Sequence, residues 1–309
     1  MKYPIILLAL VLILSCDKMP EITDDMLDGD IIFDASLYDP GSYLVSESLP
    51  TPDDIQKATP VIILCHGYSA STFEWSEFFD WNDSDSSILI SRVLLGGHGR
   101  TYQDFKEATW QDWKQSILDE YDALVNAGFS NISFAGSSTG GALLVELVSS
   151  GYFNDKVIPR NIFLIDPIVI PSNKTLSLAN LVGPMLGYIT SGNSPEEEPY
   201  WYHYRPQETL RELLTLINLV RKDLEKGITL PEETYLKLYK SERDPTADPV
   251  SAVLIYNGME TTSGKKIDIE LLDSDFHVFT RLDLRDNVTA KDIQLQENVF
   301  TEMKSRLIN

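Results

Sequence analysis

The sequence predicts an α/β protein, a mostly parallel sheet covered by helices on both faces. Four short apolar runs, "VIILC" at 61–65, "ILISRVLL" at 88–95, "NISFA" at 131–135 and "NIFLID" at 161–166, have the length of buried strands. Helix-period segments alternate with them, and such alternation builds parallel sheets whose ligands bind beyond the carboxyl ends of the strands. The 309 residues, 43% hydrophobic and 23% charged, suffice for one large core or two modest ones and carry no bias toward disorder.

The chain begins with a targeting pattern. After Lys2 come ten apolar residues, Ile5 to Leu14, which suit a signal-peptide core and fall short of the roughly 20 needed to span a bilayer. The run ends at "ILSC", which resembles the lipobox of bacterial lipoproteins, although Leu14 is bulkier than that motif usually carries. The resemblance implies that residues 1–15 are removed and that Cys16 is diacylated, placing the protein in a bacterial cell envelope, anchored to a membrane by lipid on its periplasmic or outer-surface side. Two or three acyl chains hold a protein where one does not. An ordinary secretory signal with an incidental cysteine is the alternative. Cys65 then has no intrachain partner and reads as a small buried hydrophobe.

Residues 16–29, with the acidic stretch "DKMPEITDDMLDG", read as a tether, and residues 30–309 as the folded domain. The formal net charge of −22 repels phosphate backbones and anionic headgroups, so nucleic acid is not an expected partner. "DIIFDASLYDPGSYLVSES" has β-prone residues on both sides of Asp-Pro-Gly and predicts an opening hairpin over residues 30–48. In "WQDWKQSILDEYDALVNAG", Trp113, Ile117, Tyr121 and Leu124 share one helical face and Gly128 ends the helix. "GALLVELVSSG" is again helical.

Between the strand "NISFA" and that helix lies "FAGSSTGGALL", in which Gly136, Ser138 and Gly140 form G-x-S-x-G in the strand-to-helix context the motif requires. The turn is so sharp that side chains at the flanking positions would collide, and glycine removes the collision. Taking Ser137 as nucleophile would put Ala135 and Thr139 at those positions, so the spacing selects Ser138. The helix start aims free N–H groups at a developing oxyanion, which makes the backbone N–H of Thr139 a candidate donor.

A serine hydroxyl needs a positioned base. His277 follows "KKIDIELLDSD", whose alternating Ile267, Ile269 and Leu271 predict a last strand, and precedes the helical "KDIQLQENVFTEMKSRLI", so it can face Ser138. His66, His98 and His203 read as loop or surface residues. The orienting carboxylate belongs after an intervening strand, "TYLKLYK" at 234–240; Asp244 is the first choice. Asp248, which suits the N-cap of a helix from about Pro249 to Met259, and Asp166, at the end of an earlier strand, are the alternatives. Asp273 and Asp275 lie too near His277 in sequence and read as solvated. The histidines form no close H-x-x-x-H or H-x-H pair, and the chemistry needs neither a metal nor a cofactor.

From about Thr59 to Asn309 the chain resembles the α/β-hydrolase superfamily, in its carboxylesterase and monoacylglycerol-lipase-like branch. The matching pieces, in order, are "ILCHGYSAS", "RVLLGGHGRT", "DW" at 112–113, "FAGSSTGG", "SERDPTADPVSAVLIY" and "SDFHVFT". The resemblance implies an α/β-hydrolase fold with a catalytic triad of Ser138, Asp244 and His277. It also implies oxyanion donors at the backbone N–H groups of Tyr68 and Thr139, where Thr139 replaces the more usual Met or Leu. Residues 168–234 correspond to the family's cap, with a helical Leu210–Leu224 and the aromatics Tyr200, Trp201, Tyr202 and Tyr204 either lining a pocket, touching lipid or packing a small core. The expected activity is membrane-tethered hydrolysis of a small acyl ester through an acyl-enzyme. A thioesterase or amidase with the same triad, and a non-catalytic binding or adhesion lipoprotein, are the alternatives. Acyl length and oligomeric state are not written in the sequence.

Overall fold

The computed structural model describes residues 39–82, 85–172 and 187–309. The signal segment, Cys16, the tether, the first part of the expected hairpin and residues 173–186 of the cap lie outside the described residues. The strands are β1 (Val61–Cys65), β2 (Leu89–Val93), β3 (Ile132–Ser137), β4 (Asn161–Ile165), β5 (Tyr188–Thr190), β6 (Tyr204–Pro206), β7 (Ile228–Leu230), β8 (Tyr235–Ser241), β9 (Met259–Thr261) and β10 (Asp268–Leu272). The helices are α1 (Pro40–Tyr43), α2 (Val45–Ser48), α3 (Asp54–Ala58), α4 (Ser76–Asn82), α5 (Tyr102–Glu107), α6 (Trp110–Ala127), α7 (Thr139–Ser149), α8 (Gln207–Lys226), α9 (Val250–Gly258) and α10 (Ala290–Ile308).

Six strands form one parallel sheet in the order β10-β8-β4-β3-β1-β2. Register is set by pairs such as Val61 with both Leu89 and Ile132, and Asn161 with Tyr235. The pleat sends alternate residues to opposite faces. Ile63, Phe134, Leu164 and Leu238 meet Trp113, Ile117, Tyr121 and Leu124 of α6 and the apolar sides of α7 and α8. Ile62, Leu64, Phe163 and Ile165 meet Trp75, Phe78 and the α10 residues Val299, Phe300 and Met303. Both faces are covered, as the continuous apolar runs predicted. The strand order reverses between β1 and β3, which opens a crevice at their carboxyl ends.

The opening hairpin is corrected in its described part. Residues 40–48 form the short helices α1 and α2, because the Asp39 carboxylate caps Gly41 N–H at 3.2 Å and Pro40 supplies a helical φ at the first position. Their backbone donors find side chains in place of a partner strand: Val45 N–H donates to Ser91 Oγ at 3.1 Å and Ser46 N–H to Glu120 Oε1 at 3.2 Å. The signal was ambiguous, since Asp-Pro-Gly starts a helical turn as readily as it links two strands.

In the cap region, β5 and β6 pair antiparallel. Helix α8, longer than the expected Leu210–Leu224, turns Leu213, Leu216, Ile217 and Val220 into the main core, so its leucines do not build a separate one. Among the described residues, no helix is long and apolar enough to cross a membrane.

Helix α6 begins with a capping box in which Thr109 Oγ1 accepts from Asp112 N–H and Asp112 accepts from Thr109 N–H at 2.8 Å. Thr109→Ala is expected to lower stability by about 1 kcal/mol, read as a lower urea midpoint at unchanged m-value.

Candidate active site

Ser138 stands between β3 and α7 in a backbone conformation of φ 49°, ψ −112°, a strained region for a residue with a side chain. Its surroundings hold it there. Ser138 N–H donates to Ile165 O at 2.9 Å, and Ser138 O accepts from Ile168 N–H at 3.1 Å. A Cβ on Gly136 would come within 2.6 Å of the Gly140 backbone, and one on Gly140 within 2.3 Å of Cys65 O, so the two flanking glycines are obligatory. The neighbouring Ser137 is fully buried, with its hydroxyl donating to the Glu74 carboxylate, a structural role.

Ser138, Thr139, Gly67, Tyr68 and His277 line one cavity of about 1110 Å³ at the carboxyl ends of the strands. Thr139 N–H is the first donor of α7 and has no intrahelical acceptor. The loop after β1 carries Tyr68. It is pinned by Glu74, whose Oε1 accepts from Gly67 N–H at 2.7 Å, and by His98, whose Nε2 accepts from Ser69 N–H at 3.1 Å. His66 works the same way, accepting from Leu95 N–H at 3.1 Å through Nε2 while Nδ1 lies 2.8 Å from Gly67 O. Burial depresses the pKa of both imidazoles, and each uses Nε2 as an acceptor, so they are neutral loop staples. His203 pairs with Glu198 at 2.7 Å in the cap.

His277 Nδ1 lies 2.8 Å from Asp244 Oδ2. Asp244 is held in turn by Thr246 and Ala247 N–H on Oδ1, at 2.7 and 2.9 Å, and by the Lys240 ammonium on Oδ2. Of the three carboxylates the sequence offered, only Asp244 bonds the imidazole among the described residues. Asp248 accepts from Val250 N–H at 2.9 Å at the start of α9. Asp166 bonds Lys240 Nζ at 2.9 Å, Ser241 N–H at 2.8 Å and Val278 N–H at 3.0 Å. Asp273 and Asp275 are exposed and paired with Arg243, with Lys291 also on Asp273.

The sequence reading missed Lys240. It is fully buried between Asp166 and Asp244, and its signal was a lysine inside an apolar strand flanked by two others, a place that demands a countercharge. Asp166, Asp244 and His277 present donor atoms within 4.8 Å of one another, and the Lys240 ammonium already bonds both carboxylates. Burial works to raise the pKa of Asp244, but the bonds and charges of His277 and Lys240 outweigh it and hold the carboxyl at about 2. A carboxyl depressed in the fold stabilises it above its unfolded pKa of about 3.9, and that contribution is lost as pH falls toward the folded value. Glu74 was also missed, because one partner is a backbone N–H, which no sequence motif marks, and the other is the remote Ser137 hydroxyl.

In the cap, Trp201 lines the cavity and lies under Arg281, whose guanidinium carbon is 4.2 Å from the ring centroid. Tyr200 stacks on Phe73 at 3.8 Å and Tyr202 on Phe105 at 4.1 Å, so these two pack the segment between β5 and β6 onto the loop after β1 and onto α5. Tyr204 packs edge-on to Tyr188 at 5.2 Å.

Asp166→Ala removes one of the two carboxylates of a fully buried ammonium. The expected loss is about 3 kcal/mol or more in urea unfolding; a loss under about 1 kcal/mol would show that Lys240 is not held as described.

No family model matches the chain. It is 23% identical over 247 residues to a carboxylesterase of Bacillus subtilis strain 168, covering 79% of this chain and 94% of the relative. It is 24% identical over 224 residues to a thermostable monoacylglycerol lipase of Bacillus sp. strain H-257, covering 71% and 83%. Among solved structures it is similar to a metagenome-derived lipolytic enzyme, at TM-score 0.62 and 18% identity over 80% of this chain and 94% of that one. A soluble variant of monoglyceride lipase from Saccharomyces cerevisiae, solved with a substrate analogue, gives TM-score 0.62 and 14% identity over 80% and 85%. The parallel sheet, its strand order and these neighbours establish that the chain has the α/β-hydrolase fold.

Proposed function

We propose that the protein is a serine hydrolase that cleaves carboxylic esters through an acyl-enzyme and is tethered to a bacterial membrane through lipidated Cys16. One observation carries the catalytic reading: the imidazole of His277, oriented by Asp244 at 2.8 Å, faces the cavity that Ser138 lines from the strained elbow. The carboxylesterase and monoacylglycerol lipase relatives support the ester as substrate class.

In this reading Nδ1 of His277 keeps its proton on Asp244, which leaves Nε2 free to take the Ser138 proton as Oγ attacks the ester carbonyl. The carbonyl oxygen gains charge and receives the N–H groups of Tyr68 and Thr139, each donor of this kind contributing about 3 kcal/mol to the transition state. Collapse of the tetrahedral species expels the alcohol with the proton from Nε2. Water, deprotonated by the same nitrogen, then attacks the acyl-enzyme and releases the acid. Asp166, Lys240 and Asp244 together carry one net negative charge, so the imidazolium formed in each half brings the buried cluster to neutrality.

A fluorophosphonate probe is expected to label the wild-type protein at Ser138, read by peptide mass, and to leave Ser138→Ala unlabelled. Ester turnover should fall by about 10⁴-fold or more in Ser138→Ala and His277→Ala. Asp244→Asn should share that loss, while Asp248→Asn stays within about tenfold. An unlabelled wild type would overturn the reading. For the anchor, the full-length chain expressed in a bacterium should incorporate labelled palmitate and partition into detergent, and Cys16→Ala should do neither; label retained in Cys16→Ala would contradict it.

A further inference from the structure

The chain carries a formal charge of −22, yet three arginines, Arg205, Arg281 and Arg285, line the cavity that holds Ser138 and His277. The Nε atom of each is buried without a hydrogen-bond partner. Arg281 has its Nη1 on Glu197 at 3.0 Å. Arg205 and Arg285 form no side-chain hydrogen bond or ion pair among the described residues; Arg285 only lies 5.5 Å from the Phe276 ring centroid.

The acids of the same cavity are otherwise engaged. Glu74 serves Gly67 N–H and Ser137, Glu197 serves Arg281, and Asp275 serves Arg243. Glu196 and Asp286 are exposed at the rim, where water solvates them. Burial, with the charge of Arg281 beside it, lowers the pKa of Arg285 to about 10, the mark of a cation short of solvation. Guanidinium donors taken from water and left unpaired are costly, and the planar fork of arginine matches a carboxylate.

We propose that Arg285, with Arg205, forms an anion subsite, and that the ester cleaved here carries a second, negatively charged group on its acyl or its alcohol side. The inference rests on the serine-hydrolase reading for the cleavage and on the cavity alone for the subsite. The anion then satisfies donors left open among the described residues and fixes the reacting carbonyl relative to Ser138, so a charged ester is oriented where a neutral one of equal length is not.

The test measures binding to the Ser138→Ala protein by calorimetry, so that it does not depend on turnover. Monomethyl glutarate is compared with methyl valerate for a charge on the acyl side, and 3-acetoxypropanoate with butyl acetate for a charge on the alcohol side. At least one anionic ester is expected to bind at least tenfold tighter than its neutral partner, more weakly at high salt. Arg285→Met should erase that preference, and Arg285→Lys should retain part of it. Neither anionic ester binding tighter, or a preference that survives both Arg285→Met and Arg205→Met, would overturn the subsite. Charge-selective binding to a wild-type protein that fluorophosphonate fails to label would instead uphold the subsite and defeat the catalytic reading.

Discussion

A buried ammonium shared by two carboxylates is the constraint on which the rest of the site depends. Lys240 reaches from β8 to Asp166 at the end of β4 and to Asp244 just past its own strand. Asp166 also receives Val278 N–H at 3.0 Å, and Asp244 receives the His277 ring. The ends of β4 and β8 and the histidine loop after β10 are thus joined through charge rather than through apolar contact. Such a cluster is costly to desolvate, and without Lys240 two carboxylates would face each other unpaired in the interior. What it provides is position: His277 has one orientation that satisfies Asp244, and that orientation presents the ring to the cavity.

A second constraint acts on the other side of the same cavity. The elbow at Ser138 stores backbone strain and persists because Gly136, Gly140 and the Cys65 carbonyl are packed within van der Waals reach of one another. The tightly packed turn fixes the hydroxyl and the Thr139 N–H as one unit. His66, His98 and Glu74 fix the loop bearing Tyr68, each by accepting a backbone N–H from a loop after β1 or β2. The cavity is assembled from strand ends, with Tyr68, Thr139 and His277 each held by the elements around it.

Much of this was legible in the sequence because it is local. Each β-run ended within a few residues of its expected boundary, α6 turned the expected four residues inward, and the glycine spacing alone distinguished Ser138 from Ser137. Asp244 was preferred because it follows a strand; Asp248, expected at the N-cap of α9, accepts Val250 N–H there while Pro249 takes the cap position. What remained hidden is non-local. Lys240 and Glu74 also bond Asp166 and Ser137, which only the folded sheet brings near, and the arginines of the cavity come from β6 and from the loop after His277. The opening hairpin failed for a related reason. Residues 43–48 are β-prone, but Ser91 and Glu120 wait to accept their N–H groups, and a tertiary acceptor outweighs a weak local preference.

The proposed chemistry requires the His277 ring and the Tyr68 and Thr139 N–H groups to surround one reacting atom at Ser138. A crystal structure of the fluorophosphonate adduct measures this. The account predicts phosphorus on Ser138 Oγ, the phosphoryl oxygen within about 3 Å of the Tyr68 and Thr139 nitrogens, and the His277 ring still bonded to Asp244. Phosphorus on any other residue, or a phosphoryl oxygen turned away from both nitrogens with the ring released from Asp244, would contradict it.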